Sequence, residues 1–172
     1  MERKHPANLF VRECITTALF QLMKKKRYED ISISELVNTA GVSRNSFYRN
    51  FASLDDIFRQ YLMERTASWW SDFIADPDRY IHVIAEMFQH FTDMKDEINF
   101  MYSAGLSHLL MEHIVRCGKQ SLTGETQNAY QTAFMSGGLF GLTNEWVLRG
   151  MKEIPAEMEM LFWKQAQQSD VP

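Results

Sequence analysis

The chain has 172 residues, 45% of them hydrophobic and 23% charged, a balance that fits one globular domain with or without an appendage and excludes a disordered chain or a TIM barrel. Four prolines and eight glycines against eleven methionines favour helices over a turn-rich sandwich. The net charge of −4 hides a split, because residues 1–60 carry 10 Lys+Arg against 7 Asp+Glu, net +3, and the remainder carries net −7.

A basic head on an acidic body is the asymmetry of a chain whose one end meets a polyanion. Cys14 and Cys117 lack disulfide-framework or zinc-ligand spacing, so both read as buried thiols. The opening MERKHPANLF has no signal-peptide apolar region, and no apolar run reaches the roughly 18 residues of a membrane span. A cytoplasmic protein with no membrane partner is the expectation.

In chain order, residues 7–26 place Ala7, Val11, Cys14, Ile15, Ala18, Leu19 and Leu22 on one helical face. That helix ends in Lys24, Lys25, Lys26 and Arg27, either a solvated cationic helix end or a set of phosphate contacts. Ser32 and Glu35 make a capping box for a short helix to Thr39, and Gly41 stops it. Ser43 caps a second short helix, Arg44 to Phe51, after a break of about three residues, the spacing of a helix-turn-helix. Ser53 caps a longer helix carrying Leu54, Ile57, Phe58, Tyr61 and Leu62 to Ala75, where Asp76-Pro77 breaks it. Helical periodicity continues over 78–93, 96–103 and 107–119. After a loop at 120–124, residues 125–149 read as one helix ended by Gly150, and Pro155 opens a last helix to Gln167 before a fraying tail.

The run from Ile33 to Phe51, ISELVNTAGVSRNSFYRNF, followed by ASLDDIF, resembles the DNA-binding domain of the TetR family of bacterial transcriptional regulators. The A-G-V-S turn, the F-Y-x-x-F recognition helix and the next capped helix fall in register over about residues 8–62. Met135 to Trp146, MSGGLFGLTNEW, is similar to the long dimerisation helix of one subgroup. The resemblance implies an all-α fold: a helix-turn-helix domain over residues 1–52, a linking helix from about 53, and a helical dimerisation and ligand-binding domain over 53–172. It also implies a homodimer on an operator duplex, with a small-molecule effector in the body, repression being the family default.

The residues support the DNA-binding part independently. Phe47 and Phe51, four apart, share the inner face of their helix, leaving Arg44, Asn45, Ser46, Tyr48, Arg49 and Asn50 outside. Asn and Arg can read adenine and guanine edges bidentately, while Ser43, Ser46, Tyr48 and Ser53 can hold phosphates. One departure is Leu54, where many family members carry a Lys that meets the backbone.

No Walker motif, dinucleotide-binding glycine fingerprint, nucleophile elbow or HExxH is present, and His108 and His113 stand five apart, so no enzyme, catalytic residue, metal or cofactor is expected. The body is rich in Met and aromatics, which are core in the plain reading and line an effector pocket in the one the resemblance implies. The pocket set is Trp69, Met87, Phe91, Tyr102, His108, Met111 and Trp146, with His90, Asn99, Tyr102, His108 and Glu145 as orienting polar groups. Gly137, Gly138 and Gly141 each weaken a helix by about 1 kcal/mol relative to Ala, so another backbone is expected close by. The resemblance implies that the last two long helices of each of two protomers form a four-helix dimer interface, which would place Phe134, Gly137, Gly138, Gly141, Leu142, Trp146, Met158, Leu161 and Phe162 at the subunit contact; the alternative is tight packing within one subunit. The rival function is a helical protein-interaction or co-activator protein on the same scaffold with weak DNA binding, which Leu54 and the net acidity favour.

Overall fold

The computed structural model describes residues 6–75, 82–120 and 126–168. Among them nine α-helices form and no strand does: α1 (Pro6–Met23), α2 (Ile33–Ala40), α3 (Arg44–Asn50), α4 (Leu54–Ile74), α5 (Val83–Asp93), α6 (Lys95–Ser103), α7 (Ser107–Gln120), α8 (Thr126–Leu148) and α9 (Pro155–Gln168). The fold is all-α, as the composition and periodicity predict. The Asp76-Pro77 break, the 121–124 part of the loop, Glu125 and the tail beyond Gln168 lie outside the described residues.

The first three helices pack on one another around Ile15, Leu19, Leu36, Val37, Phe47 and Phe51. Local chemistry sets their ends. Ser32 Oγ accepts from the Glu35 amide at 3.2 Å, but the reciprocal half of the capping box is not made, because Lys26 Nζ holds the Glu35 carboxylate at 2.7 Å. Gly41 closes α2 at φ +67°, where a side chain would be strained, and Val42 N–H then reaches the Val37 carbonyl at 3.0 Å. The first helix ends at Met23, so the cations 24–27 occupy the turn beyond it.

The fourth helix links this unit to the rest. Phe20 of α1 lies against Phe58 and edge-on to Tyr61 of α4 and stacks on Phe100 of α6 at 5.8 Å, and Arg12 pairs with Glu64 at 2.7 Å. In the body, α7 lies along α8, and α5 along α9. Trp146 of α8 meets Phe88 of α5 edge-on at 5.2 Å, Tyr102 OH donates to Asn144 Oδ1 at 3.1 Å, and Glu159 of α9 holds His82 Nδ1 at 2.9 Å. One continuous apolar core runs from Ile15 through Leu62 and Ile98 to Phe162.

The close approach expected at Gly137, Gly138 and Gly141 does not occur inside the subunit: a Cβ built at any of the three meets nothing within 4 Å. Packing against the described residues of the same subunit is therefore not what these glycines serve. The position that does need a glycine is Gly118, where a Cβ would stand 2.5 Å from Ser136 Oγ and 3.1 Å from Thr132 Cγ2. That contact sets how closely α7 lies on α8.

Candidate nucleic-acid interface

The third helix is only seven residues long, so its shape depends on its ends and its anchors. Ser43 Oγ accepts from the Ser46 amide at 3.0 Å and lies 2.9 Å from Ser46 Oγ. Phe47 is fully buried and Phe51 nearly so, their rings 6.0 Å apart, and the Arg12 guanidinium sits over the Phe51 ring at 5.5 Å. With the inner face pinned by two aromatics, the outer face is fixed in direction.

That outer face carries Ser43, Arg44, Asn45, Tyr48 and Arg49, all exposed, with Ser46 and Asn50 half-buried. Arg44 lies over the Tyr48 ring, 5.7 Å from its centroid, and donates to the hydroxyl at 3.4 Å. The two therefore present a stacked, cationic unit. Asn45 and Arg49 extend beside it.

Asn50 behaves differently. Its side-chain amide donates to the Ser46 carbonyl at 2.8 Å, and its own carbonyl accepts from Gln60 Nε2 at 2.9 Å. Gln60 also donates to Asp56 Oδ2, which accepts from the Ala52 amide at 2.9 Å. Asn50 thus closes the end of α3 and ties it to α4, leaving its amide engaged rather than offered to a base.

The start of α4 lacks the cation a phosphate would meet. Leu54 is half-buried and packs against the core, Ser53 is exposed with its Oγ capping the Asp56 amide at 3.2 Å, and Asp55 accepts from the Tyr28 hydroxyl. Burial, and then the Asp55 carboxylate, push the Tyr28 phenol upward, so it stays a neutral donor holding the Tyr28–Asp30 turn to α4. Both carboxylates at this helix start have partners inside the protein.

The residues named for an effector do not form one wall. Phe91 and Trp146 are core, and the Trp146 indole N–H donates to the Glu153 carbonyl at 3.0 Å. Trp69 and Met87 are half-buried. Tyr102, also half-buried, is held by Asn144, and burial pushes its phenol up to about 12. His108 and Met111 are exposed on the outer side of α7 and do not face the interior; Asn99 and Glu145 are exposed too, the latter paired with Arg149 at 2.7 Å. The interior polar groups that sequence reasoning passed over are His113, buried with Nε2 2.8 Å from Thr66 Oγ1, and Thr66 itself. Their signal was present: His113 and Cys117 stand four apart on the same side of α7 as Leu110 and Ile114. An open hollow where α1 meets α6 is lined by Met23, Lys26, Arg27, Tyr28, Glu29, Ser103 and Ala104, none of them in the named set.

Of the residues named for a subunit contact, Trp146, Met158 and Phe162 are buried within their own chain, at 2%, 2% and 5% exposure, and so cannot supply the contact surface. Phe134, Gly138, Gly141 and Leu161 are exposed, and Gly137 and Leu142 half-buried. The sequence reading missed Tyr130, Leu148, Ile154, Met160 and Trp163, which join them as exposed large apolar side chains on or beside α8 and α9. Among the described residues no group of three or more His, Cys, Asp or Glu could hold a metal ion, and no helix is long and apolar enough to cross a membrane.

Comparison with known proteins bears on this arrangement at two levels. No curated protein matches the sequence significantly. The whole fold is similar to that of the dihydroxyacetone kinase operon activator DhaS, with a TM-score of 0.61 at 15% identity over 91% of this chain and 96% of that one. It is also similar to the fatty acid degradation regulator FadR from Bacillus halodurans, with a TM-score of 0.53 at 14% identity over 94% and 96% of the two chains. At such identity the likeness concerns the fold. The sequence match is narrower and more specific: residues 15–61, from the middle of α1 through α3 into α4, fit the model of the bacterial regulatory proteins of the tetR family. Residues 15–61 are thus similar to the bacterial regulatory proteins of the tetR family, and beyond them the likeness is one of fold alone.

Proposed function

We propose that the protein is a cytoplasmic, dimeric transcriptional regulator without enzymatic activity, which represses by occupying an operator and is released by a small molecule bound in its body. Residues 1–52 act as the reading head and residues 53–172 as the dimerising, ligand-responsive body. The observation that carries the reading is the outer face of α3, where Arg44, Asn45, Tyr48 and Arg49 stand exposed around an aromatic anchor. A helix that is polar and basic outside and fixed inside is what a major groove admits. The exposed apolar surface of α8 and α9 supports a second copy, and a two-fold dimer sets its two α3 helices for half-sites about 34 Å apart.

Selection of bound duplexes from random DNA tests this. The expected result is enrichment of a palindrome of two half-sites, with affinity falling as salt rises at a slope of about −0.9 per phosphate neutralised. No enriched sequence, or affinity insensitive to salt, overturns it.

A second reading is favoured by one observation: at the start of α4, Leu54, Asp55 and Asp56 stand where a phosphate-binding cation is wanted. On that reading the scaffold works as an activator or by docking on another protein, with weak DNA contact. Unselective, salt-sensitive DNA binding together with capture of a transcription-machinery protein is its expected signature.

A further inference from the structure

Helices α4, α5 and α7 meet along a seam that holds two buried histidines. His90 of α5 is 4% exposed, and its ring stacks on Trp69 of α4 at 5.1 Å with the planes 18° apart. Trp69 in turn stacks on Phe73, 5.2 Å away. One turn earlier on α4, Thr66 Oγ1 meets His113 Nε2 of α7 at 2.8 Å; His113 is 5% exposed. Thr66 and Trp69 are three residues apart on the same helix face, so they bring the two imidazoles to one place.

Each imidazole keeps one buried ring nitrogen with no partner, Nε2 in His90 and Nδ1 in His113. A buried polar atom left unpaired costs about 1–3 kcal/mol, so two of them in one aromatic setting favour a guest that can satisfy both. With His113 Nε2 accepting from the Thr66 hydroxyl, Nδ1 carries the proton and is a donor. The surroundings are electropositive on balance: Arg65 of α4 and Arg116 of α7 act on the pair, against the single carboxylate of Asp93 on α5, and Cys117 of α7 lies 3.6 Å from His113 Nε2.

We propose that this seam takes an apolar carboxylic acid, its aryl or alkyl part beside the half-buried Trp69 and its carboxylate accepting from His90 Nε2 and His113 Nδ1. The proposal rests on the reading of the body as the effector-binding part of the molecule. An acceptor suits His113 Nδ1 in the tautomer that leaves Nε2 to the Thr66 hydroxyl, and suits His90 Nε2 where that atom carries the ring proton; a single negative charge suits the two neighbouring guanidinium groups. Phosphate needs more donors than two imidazoles offer.

A consequence distinguishes an acid from any neutral guest. In the free protein burial, and then the neighbouring cations, hold both imidazoles at about 4, so they are neutral at pH 7. A buried carboxylate must be paired, and its arrival raises the affinity of both rings for protons. Binding therefore takes up protons, and affinity rises as pH falls toward the ordinary histidine range of about 6.5.

The test titrates benzoate, phenylacetate and octanoate, and their amides, into the full chain by calorimetry in two buffers of different ionisation enthalpy. At least one acid is expected to bind about tenfold or more tightly than its amide, with net proton uptake. His90→Gln and His113→Gln are each expected to weaken that acid by about tenfold and to reduce the proton uptake. If these variants do not fold, the proton uptake and pH dependence of the parent protein still decide. No binding of any acid at millimolar concentration, equal binding of acid and amide without proton uptake, or glutamine variants that keep full affinity and uptake would each overturn the site. Operator affinity separates this from the broader reading: an acid that binds as described but leaves DNA affinity unchanged counts against release by an effector and not against the site. A neutral compound that releases DNA while no acid binds does the reverse.

Discussion

Tyr48 on α3 and Phe134 on α8 are both aromatic rings turned out of the fold, at 51% and 60% exposure, yet their surroundings are opposite. Around Tyr48 lie Arg44, Asn45 and Arg49, so its ring is a platform for a cation and its hydroxyl stays wet. Around α8 and α9 stand Tyr130, Leu148, Met160, Leu161 and Trp163, with glycines between the large side chains of α8 that leave room for another backbone. An exposed aromatic among cations suits a hydrated polyanion, whereas an exposed aromatic among apolar side chains suits another protein surface. The difference between the two surfaces is one of company, not of exposure.

The comparison breaks first at the anchor of α3. Phe47→Ala removes a fully buried ring from the small core shared by α1, α2 and α3, an expected loss of about 3–5 kcal/mol by analogy with buried Phe truncations elsewhere. Denaturant unfolding is expected to show that loss, together with the disappearance of DNA binding. A variant as stable as the parent means that α3 is not pinned through Phe47.

The next largest effect belongs to the apolar face. Phe134→Asp or Trp163→Asp puts a charge on that surface, and if a second copy covers it, the dimer is weakened by about 2–4 kcal/mol, the range of an interface hot spot. Light scattering at micromolar concentration is expected to give a dimer for the parent and a monomer for the variants, with the melting of the isolated subunit little changed. Trp146→Asp does not serve for this purpose. Its ring is in its own subunit's core against Phe88, so its loss unfolds the body.

Smaller effects sharpen the polar face. Arg49→Ala and Tyr48→Ala are expected to lose about 1–3 kcal/mol of operator binding without loss of stability, because both side chains are exposed. Asn50→Ala is expected to do the opposite, lowering stability slightly and leaving the preferred sequence unchanged, since its amide is bound to the Ser46 carbonyl. A change of preferred base in the Asn50 variant would return that residue to the reading set.

Much of this was legible in the chain itself. The caps at Ser32, Ser43 and Ser53, the left-handed Gly41 and the Phe47/Phe51 pair are local signals, and local signals fix the three-helix unit because each helix is short enough for its ends to decide it. The body was legible only as helices. Which face of α7 turns inward depends on α4 and α8, so His113 lies inside and His108 outside although both are histidines on one helix. Trp146, Met158 and Phe162 read as interface because the family resemblance implies a contact along the last two helices without saying which of their apolar side chains face outward. Nothing in a single helix's pattern says which of two apolar faces meets its own subunit.

The glycines give the finest contrast between packing inside the subunit and surface left for a partner. Gly118 and Gly138 are both helical, and each replaced by Ala gains about 0.8–1.0 kcal/mol of intrinsic helix propensity. For Gly118→Ala the new methyl would stand 2.5 Å from Ser136 Oγ and 3.1 Å from Thr132 Cγ2, closer than real contacts allow, so the buried Ser136 and neighbouring Thr132 side chains or the helices must give, and the gain is expected to be outweighed. For Gly138→Ala the subunit offers nothing within 4 Å, so the gain survives in the stability of the single subunit. If a second copy packs its backbone there, the same methyl weakens the dimer while it stabilises the chain. Thermal melting at low and high protein concentration separates the two contributions: Gly138→Ala is expected to melt higher than the parent when dilute and to lose that advantage when concentrated, and Gly118→Ala to melt lower at both. An advantage of Gly138→Ala that persists at every concentration would mean that the glycine side of α8 is not where two copies meet.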